Sequence, residues 1–116
     1  MFINLTNHPS DTWSNEQLRA AHCFGEIIDL PFPIIEPVFS KAEVDELADI
    51  TVDSIIGLDS NPVVHVMGEM TFTYAVVERL KARGIVCVAS TTERLVKMTL
   101  DGKKISEFKF VQFREY

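Results

Sequence analysis

From Val63 to Thr73 the sequence reads Val-Val-His-Val-Met-Gly-Glu-Met-Thr-Phe-Thr, a short β-branched run that ends in Gly-Glu and passes straight into a helical pattern. A buried strand that feeds a helix through a glycine leaves free backbone N–H groups at the carboxyl edge of a sheet, where α/β proteins bind nucleotides and phosphates. This run commits the chain to an α/β fold and points to strand ends for its function. A second apolar run, Ile85 to Ala89, ends in Ser90-Thr91-Thr92-Glu93-Arg94, and the first, Phe2 to Leu5, ends in Thr6-Asn7-His8-Pro9.

Helix starts are marked by their caps. Ser14-Asn15-Glu16-Gln17 and Ser40-Lys41-Ala42-Glu43 both have the form of a capping box, with Trp13/Leu18 and Phe39/Val44 placed as hydrophobic staples. Helices are expected from Asn15 to about Phe24 with a stop at Gly25, from Lys41 to Ile56 with Gly57 after the end, and from Thr71 to before Gly84. Strands fall between them at residues 2–6, Glu26 to Leu30, Pro62 to Met67 and Ile85 to Ala89. Strand alternating with helix predicts a three-layer α/β sandwich around a mostly parallel, doubly wound, Rossmann-like sheet. Pro31, Pro33 and Pro37 make the segment between them an extended connection. After Arg94, two strands, Leu95 to Leu100 and Ile105 to Phe113, flank Asp101-Gly102, which predicts a C-terminal antiparallel hairpin closed by a type I′ turn. Phe108 and Phe110 are expected on one face of the last strand and Val111 and Phe113 on the other, with both faces covered.

The 116 residues, 47% of them hydrophobic, suffice for one compact core and are too few for two ordinary domains, so residues 1–116 are expected to form one domain. A net charge of −6 argues against a binder of long nucleic acid, which needs many cations on one face. It leaves room for a small phosphorylated ligand. Cys23 and Cys87 have no metal-ligand spacing and are expected to be reduced thiols on a helix and in a buried strand, with no metal. No signal-peptide pattern and no apolar run near the ~20 residues that span a bilayer is present, so a soluble cytoplasmic protein is expected.

Glu69 has two readings: cap of the helix behind it, or acceptor for ribose hydroxyls or a proton. Ser90, Thr91, Thr92 and Arg94 suit phosphate oxygens, or else satisfy their own strand turn. His8 is either a surface imidazole or a proton carrier; His65 is expected to be packed in its strand and His22 exposed. The aromatic residues are accounted for by staple and core, although Trp13 lies close enough to the Thr6 to Asp11 loop to cover a base.

Three places together carry a family resemblance: Asn4-Leu5-Thr6-Asn7-His8-Pro9, Met67-Gly68-Glu69-Met70-Thr71-Phe72, and Ala89-Ser90-Thr91-Thr92-Glu93-Arg94 followed by the terminal strand Phe108 to Tyr116. The chain resembles the small CRISPR-associated proteins of the CARF-like, Rossmann-type group, in particular the short stand-alone members proposed as ring nucleases that bind and degrade cyclic oligoadenylates. The resemblance implies a homodimer with its strand-end loops near the two-fold axis, and cleavage without a metal or other cofactor by attack of a ribose 2′-OH on the adjacent phosphate. It implies that Arg94, Ser90, Thr91 and Thr92 hold phosphate, that Glu69 and Thr71 hold ribose or adenine, that Thr6, Asn7 and Gly68 also contact the ligand, and that His8 moves the proton, with Glu69 and Arg94 beside it as catalytic residues. Two alternatives stand beside it. One is an enzyme similar to the nucleoside deoxyribosyltransferases, with Glu69 as nucleophile; the other is a noncatalytic cyclic-nucleotide sensor.

Overall fold

The computed structural model describes residues 1–116. Five strands form one sheet in the order β2-β1-β3-β4-β5: β1 Phe2–Thr6, β2 Ile27–Asp29, β3 Val63–Met67, β4 Val86–Met98 and β5 Lys104–Glu115. The β1/β2, β1/β3 and β3/β4 pairs are parallel and the β4/β5 pair is antiparallel. The helices are α1 Asn15–His22, α2 Lys41–Leu58 and α3 Met70–Ala82, with a short 3-10 turn at Ser10–Thr12. The expected α/β class, mostly parallel sheet and C-terminal antiparallel pair are all present.

Alternation along the strands sorts the layers. Ile3, Leu5, Val64, Val66 and Cys87 point into a core built with Val44, Ala48, Val52 and Ile55 of α2 and Phe72, Ala75, Val76 and Leu80 of α3. Phe2 and Val88 point the other way and pack with Ala21 of α1, Trp13 and Phe113. The chain leaves β1 to one side through α1 and returns past it to β3 through α2, so strand order reverses at β1. In open α/β sheets the crevice for a ligand forms at that reversal, outside the carboxyl ends of the strands.

Local chemistry corrects several boundaries. α1 ends at His22, so Cys23 caps the helix instead of lying within it, and the chain turns out through Gly25 at φ 129°. α2 runs through Gly57 to Leu58. The Ser40 capping box is reciprocal, Ser40 Oγ accepting from Glu43 N–H while Glu43 accepts from Ser40 N–H. At α1 only Ser14 Oγ plays its part, accepting from Gln17 N–H at 3.2 Å.

The largest correction concerns β4. It is one 13-residue strand that runs through Ser90 to Arg94 without turning. Only Val86, Cys87 and Val88 pair with β3; beyond them β4 pairs with β5 alone, and the two leave the sheet as a ribbon. The ribbon closes through Leu100-Asp101-Gly102, with Gly102 N–H donating to Thr99 C=O and Gly102 alone at positive φ. That is a type I turn followed by a left-handed glycine, not type I′, which would need positive φ at Asp101 too. A bulge changes the phase of β5: Thr91 faces Gln112 while Thr92 faces Phe110, leaving Val111 over. Directly opposed residues share a face, so Ser90–Phe113, Thr92–Phe110 and Arg94–Phe108 place all three phenylalanines on the α1 side. The strand is not covered on both sides; Phe108 is 69% exposed.

Candidate functional site

On the α1 side of the sheet, a cavity of about 930 Å³ opens over the carboxyl ends of β1, β3 and the sheet-bound part of β4. Thr6, Asn7 and His8 lie at the end of β1, His65, Met67 and Gly68 at the end of β3, and Ser90 and Thr92 on β4. Trp13 before α1 and Glu16 and Gln17 in its first turn supply one wall, and β5 supplies the other through Glu107, Phe108, Lys109 and Phe110. Lys109 is the one lysine on this lining, which has no arginine; alternating with Phe108 and Phe110 it leaves β5 on the face opposite theirs, and its long side chain brings its charge within reach of Glu16.

The floor is a chain of buried polar groups. Asn4, on β1 between β2 and β3 and 2% exposed, donates from Nδ2 to Asp29 Oδ1 at 2.8 Å and to His8 C=O at 2.9 Å. Both partners are pure acceptors, so the amide orientation is forced and Oδ1 turns to Thr6 Oγ1 and His65 Nδ1, at 2.9 and 3.1 Å. His65 must therefore donate from Nδ1–H. Burial, together with the nearby His8 charge, pushes its pKa down to about 4, so at neutral pH Nε2 carries a lone pair and no proton. Nε2 has no hydrogen-bond partner. Asp29 feels burial, which raises its pKa, but the bonds from Asn4 and from Ser10 outweigh it and hold the carboxyl below its usual range. Trp13 closes the floor, donating from Nε1 to His8 C=O at 3.0 Å with its ring 5.6 Å from the imidazole of His65.

The residues singled out from sequence divide. Thr6, Asn7, His8, Gly68, Ser90 and Thr92 meet around this cavity. Glu69, Thr71, Thr91 and Arg94 are not on its wall. The carboxylate of Glu69 caps α3, accepting from Thr71 N–H at 3.1 Å and Phe72 N–H at 2.8 Å while Thr71 Oγ1 bonds the same group. The Phe72 bond foremost, with those from Thr71, lowers its pKa. Because β4 does not turn, Arg94 is carried out along the ribbon, where its guanidinium donates to Ser106 Oγ at 3.1 Å, and Thr91 Oγ1 donates to Gln112 C=O. Glu69→Ala is accordingly expected to cost about 1 kcal/mol, the value of an N-terminal cap, in urea unfolding; an unchanged midpoint would show that the cap contributes nothing.

The sequence reading missed Gln17, Glu107, Lys109 and the cavity role of Phe108 and Phe110. The free side chain of a half-formed capping box, and an aromatic pair beside a lysine on a terminal strand, were the available signals. Asn4 and Asp29, polar residues within apolar strands, signalled the buried network.

The model of the family described as Uncharacterized protein MJ1673 matches residues 1–114. The chain belongs to that family. Membership covers every residue of the cavity and of its floor, up to Phe110. The MJ1673 description states no ligand and gives no link to the CARF-like or CRISPR-associated proteins. No curated protein and no solved structure matches the chain.

Proposed function

We propose that this member of the MJ1673 family binds a nucleotide of the cyclic oligoadenylate class in the cavity over β1 and β3 and opens it. The observation that carries the reading is the pairing of aromatic faces, Trp13, Phe108 and Phe110, with hydroxyl and imidazole groups at the strand ends, Thr6, His8, Ser90 and Thr92. Aromatic faces stack bases at about 1–3 kcal/mol each. Hydroxyls and Lys109 answer ribose and one phosphate, and the two carboxylates nearby, Glu16 and Glu107, limit how many phosphates of the ring enter the cavity together. The volume of about 930 Å³ suits one or two nucleotides of a ring.

In this reading the ring opens by in-line attack of a ribose 2′-OH on its neighbouring phosphorus. The P–O5′ bond breaks, a 2′,3′-cyclic phosphate forms, the 2′-OH proton passes to a base and the departing 5′ oxygen takes up a proton. His8, at the rim, is the group for proton transfer, and Lys109 with Ser90 and Thr92 balances charge on the phosphate. A nucleoside transferase would need Glu69 free, whereas both of its oxygens are engaged as a cap.

Incubation with radiolabelled cyclic tetra-adenylate in the presence of EDTA tests the proposal. Linear product is expected. His8→Ala should slow single-turnover cleavage by ~10²–10⁴-fold with affinity nearly intact, and Lys109→Ala should act mainly on affinity, by roughly tenfold. Intact ligand retained by the protein would leave a sensor; neither product nor binding would remove the assignment.

A further inference from the structure

We propose that the outer edge of β5 pairs with the same edge of a second copy of this chain, antiparallel, about a two-fold axis through Phe108. The interface stands on the β4–β5 ribbon alone and does not depend on the ligand. β5 is the last strand of the sheet, so one row of its backbone N–H and C=O groups has no partner strand. From Ala89 outward β5 has β4 as its only strand partner, and a two-stranded ribbon is marginal in water by itself. Yet this ribbon carries Val96, Met98, Ile105, Phe108 and Val111 exposed. An edge of this length with apolar side chains is a template for another strand.

Among axes centred on the regular stretch of β5, Lys104 to Phe110, the charges choose the register. Neither Glu107 nor Lys109 forms a salt bridge within the chain. A two-fold axis normal to the sheet keeps the cavity face on the same side in both copies, so it falls on a residue. Centred on Glu107 it sets two carboxylates against each other, and centred on Lys109 two ammoniums, each unfavourable. Centred on Ser106 it forms no opposite-charge pair within the strand. Centred on Phe108 it sets Glu107 of each copy against Lys109 of the other, twice, and Phe108 against Phe108. This register also runs through the regular stretch of β5, before the bulge at Val111.

Phe108 lines the cavity. Its counterpart in the second copy would stand about 5 Å away, Cβ to Cβ, on the same face, so each copy extends the aromatic wall of the other. Both cavities then open on one side of a continuous sheet. The axis stands perpendicular to the sheet at the ribbon edge, displaced from the strand-end loops.

Sedimentation velocity at micromolar concentration is expected to give a dimer. Glu107→Lys and Lys109→Glu should each weaken it roughly tenfold or more, and the double exchange should restore it. A second measurement reads the register directly. In a Cys23→Ser background, which removes the exposed thiol, Phe108→Cys should oxidise to a covalent dimer, because opposed residues of antiparallel strands lie within disulfide reach. Glu107→Cys, displaced from its counterpart, should not. A monomeric parent, or a dimer indifferent to all the charge changes and not cross-linked through position 108, would overturn the proposal whatever the outcome with cyclic tetra-adenylate.

Discussion

Asn4→Leu is expected to destabilise the protein by about 4 kcal/mol, with a fall in Tm on the order of 15 °C. The substitution keeps the branching and the number of heavy atoms and removes every polar side-chain atom from a position that is 2% exposed. Two losses dominate. The Nδ1–H of His65 loses its acceptor in a buried setting, at about 1–3 kcal/mol, and Asp29 loses a charge-assisted bond of about 1.5–3 kcal/mol while keeping those from Ser10. Thr6 and the His8 carbonyl also lose a partner, so the loop bearing His8 should loosen, visible as faster amide exchange at Asn7 and His8. A destabilisation below 1 kcal/mol would mean that the network contributes little beyond shape.

Acid should expose the same floor by another route. His65 has its pKa depressed from 6.5 to about 4 in the folded protein. Between those values the unfolded chain binds a proton that the folded chain refuses. Stability is therefore full above pH 6.5 and falls as pH drops toward 4, by about 3 kcal/mol at 1.36 kcal/mol per unit. The carboxylates whose pKa values are lowered, Asp29 and Glu69 among them, lose their contribution only below their ordinary values of 3.8 and 4.5, so the histidine dominates the upper part of the window. Urea midpoints at pH 7 and pH 5 for the parent and for His65→Phe test this. The parent should lose roughly 2 kcal/mol over that interval and the variant much less; equal losses would assign the acid sensitivity elsewhere.

The fold was legible where periodicity and capping agreed. Ser40 and Glu43 announce α2 within one residue, and the alternation of Val63 to Met67 about His65 marks a central strand. The ribbon was misread because hydroxyl-rich sequence resembles a loop: Ser90, Thr91 and Thr92 are also good strand residues once β5 is there to pair with them. That partner is distant in sequence, and the single extra residue at Val111, which turns Phe113 to the face of Phe110, has no local signature. The site was half legible for the same reason. Thr6, His8, Gly68 and Ser90 lie at strand ends, which order along the chain reveals, whereas Lys109 and Phe108 reach the cavity only because β4 carries β5 beside it.

Gly68 has a neighbour that the strand-to-helix pattern does not announce. A side chain there would overlap the ring of Phe32, which comes from the proline-bearing connection before α2 and meets Phe72 edge-on at 5.2 Å. Positions 32 and 68 thus share one volume although they are 36 positions apart in the sequence. Over evolutionary time such a pair drifts together or not at all: within the MJ1673 family, a chain that gains a side chain at the position of Gly68 should carry a small residue in place of Phe32, and a phenylalanine there should keep the glycine.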